Sequence, residues 1–174
     1  MDNWNRRWRA GAAGWARLLA LAAWCWAGAA GAAPGIFLQH THPVSARSAV
    51  LEDDGHVAYL FLTAAGSFVP ERQVAAYTRK PPVASVDWWE LKLTGDTAPI
   101  WRDVASAQAT IPEPRAQDLE FRWSQDGEAV SLLRNGRPIA FVTSSHVHGY
   151  SKALTKPSVL GAPWDKRLYQ LTFQ

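Results

Sequence analysis

The chain has 174 residues, of which 48% are hydrophobic and 19% charged, a balance that excludes an extended disordered chain and fits one globular domain. The formal charge of +3 is misleading, because Arg6, Arg7, Arg9 and Arg17 carry it. Residues 34–174 hold 14 Lys/Arg against 14 Asp/Glu. A folded part with no cationic surplus lacks the counterion-releasing surface that nucleic-acid binding needs, so nucleic acid is not an expected partner.

Residues 1–33 differ in kind from the rest of the chain. A basic segment precedes an apolar run of 13 residues, Leu18 to Ala30, and then Gly31-Ala32-Ala33-Pro34. Charged, apolar and small, in that order, is the pattern of a cleavable secretory signal, with the cut expected before Ala33. The run is shorter than the roughly 20 residues that span a bilayer, so no permanent membrane span is expected. Two other readings are an uncleaved anchor decorated with interfacial tryptophans and a start codon assigned too early, which would leave a cytoplasmic protein. Export predicts a periplasmic or secreted protein whose mature part is a single β-rich domain, 34–174. The only cysteine, Cys25, lies within the leading segment, so no disulfide framework is available to the domain.

Ile36-Phe37-Leu38 is a short apolar run that suits a sheet edge. Ser48 to Thr63 then reads as two strands joined at Asp54-Gly55, whose backbone tolerates the positive dihedrals of a hairpin turn. Val57 to Leu62 is apolar on both faces, which places it inside a sheet covered on both sides. Glu52-Asp53-Asp54 lacks the alternating ligands of a calcium loop and reads as a solvated turn. Gln73 to Thr78 is the next strand, ended by Lys80-Pro81-Pro82. The alternation over Val86–Leu93 predicts a half-buried strand near an edge. Ala98 to Gln108 is either a short helix beginning near Pro99 or an irregular segment.

Leu119, Phe121 and Trp123 alternate with charged residues and predict a strand with one buried face. Asp126-Gly127 and Asn135-Gly136 turn the chain twice, giving a meander through Glu128–Arg134 and Ile139–Thr143. The placement of Asp126-Gly127 and its following strand resembles that of Asp54-Gly55, so two related meanders are expected. Gly161 to Asp165 reads as a turn, and Tyr169, Leu171 and Phe173 share one face of an expected closing strand. The fold class predicted is all-β or β-rich α+β: an antiparallel sheet or sandwich of about eight strands in two meanders, with one or two short helices.

The hairpin Asp53-Asp54-Gly55-His56-Val57-Ala58-Tyr59-Leu60-Phe61-Leu62 and the later Gly149-Tyr150-Ser151-Lys152-Ala153-Leu154 resemble segments of a small family of bacterial proteins. The resemblance spans most of 36–165 and implies no activity.

Chemistry-bearing residues are few. His40 and His42, and again His146 and His148, are two apart, a spacing that puts both rings of a pair on one face of a strand. Two such pairs brought together would make a four-nitrogen site for zinc or copper, so a metal-binding protein or metallohydrolase is one functional reading. The competing reading is loop-capping or surface histidines. Ser151 and Lys152 near His146 do not form a Gly-x-Ser-x-Gly or Ser-x-x-Lys motif, and no catalytic residue or cofactor is assigned. Trp88 and Trp89 are neighbours beside a proline pair; with Tyr150 they are the expected partner-binding residues. The leading functional reading is a non-enzymatic binding or interaction module of the bacterial envelope, of an immunity or accessory type.

Overall fold

The computed structural model describes residues 35–174. The expected export signal and Cys25 lie outside the described residues. The domain is built on two sheets (β-rich α+β), with strands ordered β1-β2-β3-β4 in the first and β5 to β9 in sequence order in the second.

In the first sheet β1 (Ile36–Thr41) pairs with β2 (Ser48–Asp53), β2 with β3 (Val57–Thr63) and β3 with β4 (Pro70–Thr78), all antiparallel. Asp54 closes the β2–β3 turn by accepting the amides of His56 and Val57 at 2.7 and 2.9 Å, while Gly55 takes a φ of 91°. β3 is buried on both faces apart from Phe61, as its unbroken apolar run predicts. The outer edge of β4 is not left open. Ala75 donates its amide to Leu160, Thr78 donates to Ala109, and Ile111 donates back to Thr78.

In the second sheet β5 (Leu119–Trp123), β6 (Ala129–Arg134) and β7 (Arg137–Thr143) form the expected meander. The β6–β7 turn has φ of 50° at Asn135 and 72° at Gly136, both positive as a type I′ hairpin requires. Two short strands extend it: β8 (Tyr150–Ser151) lies antiparallel to β7, and β9 (Ala162–Pro163) parallel to β8. The stretch read as a turn at Gly161–Asp165 therefore carries a strand. The likeness between the halves extends to their turns, since Asp126 accepts the Glu128 amide as Asp54 accepts that of His56.

Alternation assigns each residue of the second sheet to a layer. Val130, Leu132, Ala140 and Val142 meet Leu51, Leu60, Val74 and Tyr77 of the first sheet in the main core. Their neighbours Ala129 and Phe141 face the other way, into a smaller cluster with Phe173. Loop residues Ile100, Val104, Leu154 and Leu160 complete the main core.

Three further expectations fail. Val86–Leu93 is not a strand: α1 runs over Trp88–Thr94, with Asp87 accepting the amides of Trp89 and Glu90 and Gly95 closing the end in the left-handed region. Leu168–Phe173 is not a strand either. It lies in α2 (Lys166–Phe173), begun by the Asp165 carboxylate, which accepts the Leu168 amide at 2.8 Å. The acidic triplet is not wholly solvated, because Asp53 is buried: Arg79 donates to its Oδ2 at 2.9 Å and the Tyr77 hydroxyl at 2.6 Å. Of the alternatives for Ala98–Gln108 the structure has the irregular one. A single turn at Trp101–Ala105 is pinned by bridges from Val83 to Trp101 and from Ala105 to Leu154.

Candidate functional site

α1 is held by its ends, not by its face. None of its residues is buried. A helix of seven residues is far below the length that is stable alone, so the caps and the flanking chain must hold it. Trp88 sets its ring edge-on to Trp101 at 5.5 Å, and Leu91 turns inward beside Val57, Val83 and Pro99. Trp89 and Leu93, one helical turn apart, share the remaining face and are 68% and 71% exposed. Trp88 itself stays 49% exposed. Behind the helix, toward the β2–β3 turn, opens a cleft of about 630 Å³. Asp54, His56 and Asp96 line it, and the Lys80 ammonium lies 3.5 Å from the His56 ring. The result is an apolar ridge beside an acidic recess.

The residues flanking this surface are fixed by the core strands. The Tyr59 hydroxyl donates to the carbonyl of Ala98 at 2.8 Å, tying the chain just beyond α1 to β3. Burial, and then the charge of Asp54, hold that hydroxyl well above the usual tyrosine range, so it remains a donor at neutral pH.

Of the three residues expected to bind a partner, the structure puts Trp88 and Trp89 together on α1 and places Tyr150 elsewhere. Tyr150 stacks on Phe141, with ring centroids 4.8 Å apart, and belongs to the smaller cluster with Trp164 and Tyr169. Sequence reasoning missed Leu93. A strand reading sends Leu93 to the buried face with Trp89, whereas a helix carries both outward. The signal that finds it is Asp87 two residues before Trp89 with Gly95 beyond, a cap at each end of a short segment.

Three of the four histidines, His40, His42 and His146, have local partners. His40 and His42 do share one side of the chain, and both lie against Trp123, with centroids 6.2 and 5.2 Å away. Trp123 donates its indole N–H to His40 Nδ1 at 2.9 Å. His42 accepts the Ser45 amide at 3.3 Å and packs so closely on Gly127 that a side chain there would meet the ring. This pair pins the β1–β2 loop to the β5–β6 turn. The other pair sits in a bend rather than a strand. His146 Nδ1 lies 2.9 Å from the Thr143 hydroxyl, and His148 lines a separate recess with Glu71, Val147 and Val159. Among the described residues no group of three or more His, Cys, Asp or Glu is placed to hold a metal.

Ser151 is fully buried; its hydroxyl donates to Ala76 and accepts the Ala153 amide at 3.0 Å. That geometry closes a turn and presents no oxygen for attack. Among the described residues no helix is long and apolar enough to cross a membrane. No family model matches the chain, and no curated protein or solved structure matches it either.

Proposed function

We propose that the protein is an exported binding module of the bacterial envelope that works by docking a protein partner on α1 rather than by catalysing a reaction. The observation that carries this reading is the face of α1. Trp89 and Leu93 stand in solvent on a helix that gives the core no buried residue, and Trp88 beside them is half exposed, so most of this apolar face is not used in folding. Tryptophan in particular supplies large contact area and is favoured at the centre of interfaces.

The adjoining recess narrows the chemistry of the partner. With Asp54 and Asp96 on its walls and no lysine or arginine among its lining residues, it suits a lysine or arginine projecting from the partner next to an apolar patch. The expected partner is therefore a folded protein with an apolar surface bordered by basic residues. An accessory or immunity role fits such a surface. Export is supported by the order of basic, apolar and small residues in 1–33.

A photo-crosslinking amino acid at position 89 of the full chain, expressed in its native cells, tests the reading. The control is the same group at Leu171, which is 70% exposed on α2. One discrete protein adduct at 89, recovered in the periplasmic fraction and absent at 171, is the expected result. Equal adducts at both positions, or none at 89, would remove the proposal.

A further inference from the structure

A second cleft has the opposite charge. It opens beneath the β6–β7 turn, has a volume of about 610 Å³ and is lined by Arg134, Arg137 and Lys152 together with Gln108, Thr110 and Asn135. No carboxylate lines it. Arg47, Arg72, Arg79 and Arg115 each pair with an aspartate or glutamate, but these three cations have no such pair among the described residues.

The placement of the two arginines is unfavourable without a ligand, whereas Lys152 has a cation–π partner in Trp164. Arg134 and Arg137 are directly opposite one another across the hairpin, where like charges destabilise the strand pair. The Arg134 side chain is half-buried, and its Nε is a buried donor with no hydrogen-bond partner among the described residues. An unpaired buried donor costs free energy. Lys152 is half-buried too, its ammonium 4.8 Å from the centre of the Trp164 ring, and burial followed by the charge of Arg137 lowers its pKa. Three chain segments bring these groups together: the β6–β7 hairpin, the residue after β8, and the loop that pairs with the end of β4.

We propose that this cleft is a binding site for a small, multiply charged phosphate-type anion, gripped by Arg134, Arg137 and Lys152 and hydrogen-bonded by Thr110 and Asn135. A guanidinium fork matches two phosphate oxygens at once, and a ligand of two or more negative charges neutralises the cluster where a single carboxylate does not. The volume is within the range of sites for small ligands. The site is independent of the α1 surface and stands whether or not that surface binds a partner.

Calorimetric titration of the full chain with inorganic pyrophosphate at low ionic strength tests the site, with citrate as the carboxylate arm. Saturable one-site binding of pyrophosphate is expected. It weakens about tenfold in Arg137→Gln, is lost in Arg134→Gln/Arg137→Gln, and is unchanged in Arg102→Gln, an exposed arginine elsewhere. The ligand-free Arg137→Gln protein should melt at a slightly higher temperature than the wild type, because repulsion has been relieved. The proposal is overturned by any of three results: no saturable binding, citrate binding as tightly as pyrophosphate, or a lower melting temperature in Arg137→Gln. The last would mean that Arg137 serves the fold.

Discussion

The two helices begin alike and end differently. Each follows an aspartate whose carboxylate accepts amides of the first turn, Asp87 for α1 and Asp165 for α2. α2 then lays Leu168, Tyr169 and Phe173 against Phe141 on the outer face of the second sheet. α1 turns Trp89 and Leu93 to solvent and keeps only Trp88 and Leu91 against the domain. A local helix signal therefore does not say what the helix is for. An apolar face that is packed contributes to stability, whereas one left open is available to something else.

The largest test of that contrast is at the seat of α2. Phe141 is fully buried, and its ring meets Tyr150, Trp164, Tyr169 and Phe173. Phe141→Ala should cost about 4 kcal/mol in urea unfolding and speed hydrogen exchange throughout α2, with α1 unaffected. No residue plays that part under α1, so no single truncation beneath it should cost as much.

The caps give a smaller and more pointed test. Asp165→Ala and Asp87→Ala each remove about 1 kcal/mol of helix stability. Because α2 is joined to a core cluster, the first change should lower the global unfolding midpoint. The second should appear only as faster exchange in α1. A global loss from Asp87→Ala would mean that α1 is more strongly coupled to the core than its exposure implies.

Tyr59 probes the tether of α1. Tyr59→Phe removes the hydrogen bond to Ala98 and should cost about 1 kcal/mol. The folded protein holds the Tyr59 hydroxyl protonated above its ordinary value of about 10. Its contribution is therefore fully present below pH of about 10 and falls as pH rises beyond that point. Wild-type stability should decline more steeply than that of Tyr59→Phe in alkaline urea titrations, and equal slopes would show that this hydroxyl is not protected.

Much of the sheet architecture is legible in the residues themselves. Asn135-Gly136 marks a turn because few other pairs accept two positive φ angles, Asp54-Gly55 because Gly55 takes a positive φ while the Asp54 side chain caps the turn, and Leu119-Phe121-Trp123 marks a strand because its neighbours are charged. The two helices mislead because seven or eight residues are too few to separate periods of two and 3.6. Tyr169 and Phe173 share a face in either conformation, and only Leu171, buried in one and exposed in the other, distinguishes them. The burial of Asp53 is illegible for a different reason. Its partners Tyr77 and Arg79 lie 24 and 26 residues away and reach it through the β3–β4 pairing. At the candidate site the exposure of one of Trp88 and Trp89 can be read from their adjacency, which no single buried face accommodates. Leu93 and the acidic recess appear only once α1 is set against the β2–β3 turn.

A partner-binding role for α1 requires that its outer face be free of any structural duty. Urea unfolding of the Trp89→Ala/Leu93→Ala double variant measures that directly. Stability within about 0.5 kcal/mol of wild type is predicted, as for surface substitutions. A loss of about 2 kcal/mol or more would show that these side chains hold the domain together and would contradict their assignment to a partner.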